Sequence, residues 1–195
     1  MEKKPITVGF IGNPNCGKTT LFNAFTGANL KVGNWPGVTV EKKEGKTTYQ
    51  GQEFRLIDLP GTYSLTSYTM EETVARECIM SGEVDVIVNV VDASCLERNL
   101  YLTLQLIELG KPVVLALNMM DIVEERGMEI DLHRLPEMLG IPAIPVSARK
   151  KTGLPMEKIG AFFITPCPAK VTDTKCPIST KTSYVDGAIA ISEIF

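Results

Sequence analysis

Short runs of Val, Ile and Leu recur at residues 6–11, 53–57, 84–91, 113–117 and 143–146, and each has the length of a β-strand. The run at 84–91 is almost continuously β-branched, as expected of a strand covered on both faces. Segments of helical character separate these runs. Residues 20–26 read as a helix closed by Gly27, 71–80 as a second, and 97–109 as a third stopped by Gly110 and Pro112. A fourth is expected over 131–139, ended by Gly140, and a fifth over 155–163. Strands alternating with helices predict an α/β fold with a mainly parallel central sheet and helices on both faces.

Between the periodic segments the pattern is broken. Residues 28–38 carry Gly33-Asn34-Trp35-Pro36-Gly37 and read as a loop. It leads through Val38-Thr39-Val40 into a strand whose charged continuation at 41–46 is expected to be a solvated sheet edge. Residues 62–69 are expected to be mobile. From Ile164 onward Pro166, Pro168, Pro177 and repeated threonines erase both periods, so 164–195 reads as a linker-like tail, with a short helix conceivable over 188–195.

The first strand runs into Gly12-Asn13-Pro14-Asn15-Cys16-Gly17-Lys18-Thr19, a G-x-x-x-x-G-K-[ST] phosphate-binding loop in its required strand and helix context. Backbone N–H groups of such a turn point at an anion, and the following helix dipole adds to the attraction. Lys18 then reaches the β- and γ-phosphates, and Thr19 offers its hydroxyl to Mg2+. An ordinary βα turn would match by accident in about one chain in a hundred.

Two further turns lie at the ends of apolar strands. Asp58-Leu59-Pro60-Gly61 has the D-x-x-G form whose aspartate serves Mg2+ and whose glycine N–H meets the γ-phosphate. Asn118-Met119-Met120-Asp121 is an N-x-x-D element at a strand's carboxyl end, where open α/β sheets bind ligands. A carboxylate there accepts both N1–H and the exocyclic amine of guanine, whereas adenine presents an acceptor. Ser147-Ala148, with Arg149 beside them, ends the last strand where a backbone N–H would meet guanine O6. Met119 and Met120 read as base-flanking or core residues.

Composition removes other classes. A net charge of −3 disfavours a dedicated nucleic-acid surface. Five cysteines without a C-x-x-C pair argue against a disulfide framework or a zinc site, and fit a reducing cytosol. No run approaches the 18 apolar residues of a membrane span, so a soluble chain is expected. The single histidine, His133, reads as surface. Cys16 lies among amides that would lower a thiol pKa, although a small filler is the simpler reading. Glu71 and Glu72 read equally as aids to the 62–69 loop or as a solvated helix start.

Together these motifs resemble those of the translation-factor-related GTPases. Residues 12–23, 32–41, 58–65 and 90–102, with the Trp35 loop and the Glu97 to Leu102 segment, resemble more narrowly the cytosolic G domain of FeoB, the prokaryotic ferrous iron transport family. The resemblance implies a Ras-like P-loop GTPase fold, with a GTP-binding domain over 1–163 and a tail over 164–195 that begins a truncated helical regulatory domain. It implies Mg2+-dependent hydrolysis of GTP to GDP, with nucleotide held by Asn13 to Thr20, Gly37, Val38, Thr39, Asp58, Gly61, Asn118, Met119, Asp121 and Ser147 to Arg149. Mg2+ would be held by Thr19, Thr39 and Asp58.

Hydrolysis needs a positive charge and an oriented water. Thr62 stands where the Ras type has glutamine, and residues 29–39 contain no arginine, only Lys31. Without either device turnover stays near about 10⁻⁴ s⁻¹. The resemblance supplies K+ instead, bound by the Asn15 side chain and the carbonyls of Gly33 and Trp35, so the catalytic set becomes Asn15, Lys18, Thr39 and Gly61. It further implies a place on the cytoplasmic face of the cell membrane, beside a membrane transport domain, with a small FeoA-like protein and a homo-oligomer as candidate partners. An RNA- or ribosome-associated GTPase, and a GTP/GDP-sensing module with negligible turnover, remain as alternatives.

Overall fold

The computed structural model describes residues 4–27 and 30–146, together with the backbone of 162–165 and 187–190. Seven strands form one sheet in the order β2-β3-β4-β1-β5-β6-β7. They are β1 (Ile6–Gly12), β2 (Leu30–Asn34), β3 (Glu41–Tyr49), β4 (Gln52–Asp58), β5 (Val86–Asp92), β6 (Val113–Asn118) and β7 (Ala143–Pro145). Strands β4, β1, β5, β6 and β7 run parallel, and β2 and β3 are antiparallel additions. The expected α/β class, with a mainly parallel sheet, is the one observed.

Alternation along the central strands sends neighbouring residues to opposite faces. Val8, Phe10, Leu56 and Val90 pack with Leu21 and Phe22 of α1 (Lys18–Thr26) on one face. Ile11, Ile57 and Ile87 pack on the other with Val74 and Ile79 of α2 (Met70–Met80) and Leu102 and Leu106 of α3 (Leu96–Glu108). Each fully buried side chain of this size contributes ~1.5–3 kcal/mol. A third cluster around Leu115, Leu117 and Val123 seats α4 (Met120–Glu125) and α5 (Arg134–Leu139). The parallel strands end together, which brings Gly12, Asp58, Asp92 and Asn118 to one edge of the sheet.

Several local expectations are corrected. Residues 30–34, read as loop, form β2, and the charged stretch after Val40 is not an edge. Strand β3 is paired on both sides, and β2 takes the edge position. Its charges are accommodated by ion pairs along and across the strands, Lys42 with Glu44 at 2.8 Å, Lys46 with Glu53 at 3.0 Å and Arg55 with Glu44 at 3.0 Å. The hairpin overrides the turn-former composition because Asn34 pairs with Glu41 and the Trp35 N–H donates to the Val40 carbonyl at 2.9 Å.

The helix expected over 131–139 is shorter, since Asp131 accepts from the amides of His133 and Arg134 and so caps the turn ahead of it. The helix expected over 155–163 lies outside the described residues up to 161. Phe162–Thr165 is a strand, β8, paired parallel with β9, Gly187–Ala190, in a separate two-stranded sheet. That pairing replaces the start of the short helix expected over 188–195, whose last five residues are outside the described set.

Candidate functional site

The site begins where β1 stops. A Cβ on Gly12 would run into the Val90 carbonyl of β5 and lie 2.8 Å from the Cys16 Sγ, so only glycine lets the chain leave the sheet so close to its neighbour. Asn15 and Gly17 both take left-handed conformations, with φ of 66° and 82°. These reversals turn the backbone around the loop and leave Gly17 as the cap of α1 with no side chain bonded to the helix start. The first amides of α1 are therefore presented to whatever enters the loop.

Inside that loop Lys18 and Asp58 are both buried, and their side chains form an ion pair. Asp58 arrives on β4, which pairs with β1 in parallel register, Phe10 opposite Asp58. The D-x-x-G turn is then held against the phosphate loop by two backbone bonds, Leu59 N–H to the Phe10 carbonyl at 2.9 Å and Thr62 N–H to the Gly12 carbonyl at 3.1 Å. A Cβ added to Gly61 would lie 3.7 Å from the Pro14 backbone, so the two turns face each other closely. Thr19 and Thr20, on the first turn of α1, are exposed.

The other end of the site is joined to the same loop. Asn118 is 2% exposed, and its side-chain amide donates to the Cys16 carbonyl at 2.8 Å. The turn expected at the strand's carboxyl end is present, with Asn118 closing β6 and α4 starting at Met120. Met119 takes φ 62° and caps α4, so Asp121 falls on that helix's first turn. The adjacent methionines divide: Met120 packs on the core cluster of Leu115 and Leu117, whereas the Met119 methyl lies 4.0 Å from where a Cβ on Gly17 would stand. Ser147, Ala148 and Arg149 lie outside the described residues.

Asn15, Gly33, Gly37 and Thr39 are exposed, with Val38 half-buried. All but Asn15 belong to the β2–β3 hairpin, whose tip passes the end of β4 because Lys43 pairs with Asp58. Cys16 is 1% exposed, and burial pushes its thiol upward against the opposing effect of Lys18. Cys16 belongs to the apolar cluster of Phe10 and Phe22, where a small side chain occupies space. His133 is exposed, as expected.

One site residue was only half legible. Glu71 is exposed, but Glu72 is buried and gathers the 62–69 loop around its carboxylate. That carboxylate accepts from the Ser64 hydroxyl at 2.7 Å, the Tyr68 N–H at 2.9 Å and the Thr66 hydroxyl at 3.1 Å. The Ser64 bond, with the Tyr68 and Thr66 bonds behind it, holds Glu72 below the usual glutamate range. Stabilisation from Glu72 is thus present above that range and is lost as pH falls below it. Glu72→Ala is expected to speed hydrogen exchange at the Tyr68 amide by about tenfold or more, the worth of one charge-assisted bond, at neutral pH. Acidification of the unmodified chain should likewise lower the protection of the Tyr68 amide, measured against its intrinsic exchange rate at each pH.

The architecture finds its counterpart among known proteins. The family described as ferrous iron transport protein B matches residues 6–158. The chain belongs to the FeoB family. Its sequence is 52% identical over 160 residues to the Fe(2+) transporter FeoB of Shigella flexneri, covering 80% of this chain and 21% of that protein, so it spans about a fifth of such relatives. Among solved structures it resembles the cytosolic domain of L. pneumophila FeoB, at 55% identity and a TM-score of 0.70, covering 74% of this chain and 63% of that one.

It also resembles a mutant of S. thermophilus NFeoB bound to mGDP, at 51% identity and a TM-score of 0.73, covering 77% of this chain and 57% of that one. The fold is therefore that of the FeoB G domain, a P-loop GTPase. The FeoB-like stretch at 90–102, with Asn89 and Thr103 flanking it, has a physical role here. Asn99 donates to the Cys95 carbonyl and accepts from the Asp92 N–H, and Asn89 donates to the Thr103 hydroxyl at 2.7 Å. These bonds fasten α3 to β5 beside the sheet edge that carries Gly12, Asp58 and Asn118. No helix among the described residues is long and apolar enough to cross a membrane.

Proposed function

We propose that this chain binds GTP and hydrolyses it to GDP and phosphate with Mg2+ and K+, as the cytosolic regulatory module of a ferrous iron transporter. The membrane domain would belong to the longer parent protein, at whose cytoplasmic membrane face this module works. One observation carries the reading: Asn118 of the base-recognition element is bonded to the carbonyl of Cys16 in the phosphate loop. A purine nucleotide spanning the two would meet a single unit, in which Asp121 reads the base while the amides around Gly17 and the Lys18 ammonium hold the phosphates.

The residues fit the ions as well. Thr19, Thr39 and Asp58 offer only oxygen, the donor Mg2+ prefers, in the small number it takes when phosphates and water complete its shell. Mg2+ would neutralise phosphate charge, and Asp58 would turn from Lys18 toward it. The buried Asn13 amide finds no partner among the described residues, as expected of a group that bonds to bound nucleotide. For K+ the donors are the exposed Asn15 amide and the carbonyls of Gly33 and Trp35, all oxygen. K+ would supply part of the positive charge that an arginine gives elsewhere, worth ~10³ to 10⁵ in rate. The Gly61 N–H and Thr39 would orient the γ-phosphate side of the pocket.

Single-turnover GTP hydrolysis in KCl and in NaCl tests this. KCl should give the faster rate, and Asn15→Ala should abolish the difference without weakening GDP binding more than a few-fold. Equal rates in the two salts would remove the K+ role. Competition by ATP as strong as by GTP would remove the nucleotide assignment.

A further inference from the structure

We infer that the side chain of Trp35 is a positioning group that couples the hairpin tip bearing Thr39 to the turn bearing Gly61. This rests on the proposed reading in which those two segments serve the triphosphate. Most of the tip is in solvent: Gly33, Asn34, Pro36, Gly37 and Thr39 are exposed and Val38 and Val40 half-buried, whereas Trp35 is 8% exposed. Its indole enters the apolar cluster that contains Leu59 and Leu65, the residues bracketing Gly61, and Val74 and Cys78 of α2. Val38 and Val40, from the same tip, pack against that cluster too.

The ring is held by volume and charge. Its Nε1–H has no acceptor among the described residues. The Lys42 ammonium sits 4.3 Å from the ring centroid, and is itself held by Glu44 at 2.8 Å and Glu83 at 3.6 Å. The Trp35 N–H donates to the Val40 carbonyl and its own carbonyl accepts from the Val38 N–H at 3.2 Å, so the backbone that carries the indole is tied into the tip. The same cluster continues into the D-x-x-G turn, so a displacement on one side is felt on the other as lost packing.

Hydrogen exchange on the full chain tests the coupling independently of hydrolysis. The reporters are the Thr62 amide, bonded to Gly12, and the Leu65 amide, bonded to the Gln105 side chain at 2.8 Å. In the GDP-bound chain, Trp35→Ala should raise exchange at both by about tenfold or more, the factor one lost bond commands. Amides of β1 and β5 should keep their protection and GDP affinity should hold within a few-fold. Trp35→Phe, which keeps a ring and leaves no orphaned donor, should restore protection and, in turnover assays, the kcat that Trp35→Ala loses at little change in KM.

Unchanged exchange at Thr62 and Leu65 in Trp35→Ala overturns the inference. So does a rise spread equally over β1 and β5, which would make the indole an ordinary core residue. A chain that ignores K+ but shows the localised rise keeps this coupling while losing the proposed ion.

Discussion

Asp121→Asn is expected to lower affinity for GTP by a factor on the order of 10⁴ and to bring in xanthosine nucleotides as preferred ligands. The carboxylate has two acceptors for the N1–H and the exocyclic amine of guanine, and an amide keeps one of them while turning a donor toward the amine. A site built to bond a polar group loses ~10⁴ to 10⁵ when that group is left unmatched. The magnitude depends on the residue being unable to move aside. Asp121 sits on the first turn of α4, one residue beyond Met120, which packs against the core, and three beyond the buried Asn118. Displacement of a fluorescent guanine nucleotide by GTP, XTP and ATP measures the exchange of preference. An unaltered order of the three would mean that Asp121 does not face the base.

The second large effect is expected from Gly17→Ala. At φ 82° an L-residue costs ~1–2 kcal/mol. The added methyl group would also collide with the Asn118 side-chain amide and break its bond to Cys16, another ~1 kcal/mol. Displacing the amides that head α1 removes anion contacts besides. Together these predict a loss of about a hundredfold or more in GDP affinity, measurable by calorimetry. Circular dichroism should show the fold retained, because the apolar clusters flanking the sheet do not include Gly17. GDP binding within a few-fold of the unmodified chain would contradict the close approach of the two motifs.

The site was legible in the sequence to the extent that its parts are local. The phosphate loop announces itself because glycine is needed where a backbone passes close, as at Gly12, or where φ is positive, as at Gly17. The D-x-x-G and N-x-x-D elements were found by following strands to their carboxyl ends, which the parallel topology brings to one edge. Glu72 was not separable from Glu71 by type or spacing. Its role depends on three donors, from Ser64, Thr66 and Tyr68, supplied by a loop that has no periodicity to read. Met119 and Met120 were likewise equivalent until a left-handed turn at Met119 sent one toward Gly17 and the other against the core.

The hairpin shows the same limit from another side. Residues 30–34 include Lys31, Gly33 and Asn34, a composition that disfavours strand, and the charged β3 looked like an exposed rim. What makes them strands is pairing with each other and with β4, a contribution that no window of neighbouring residues contains.

By itself the amino-acid order determined the alternation of strands and helices, the succession of nucleotide motifs and the membership of a GTPase class, because each rests on backbone preference or on the spacing of a few adjacent side chains. Tertiary structure alone decided which strand takes the edge, that Asn118 is bonded to Cys16 and that Trp35 joins the apolar cluster containing Leu59 and Leu65. Those outcomes join segments far apart in the chain, and their free energy comes from burial and close packing, which exist only once the segments have met.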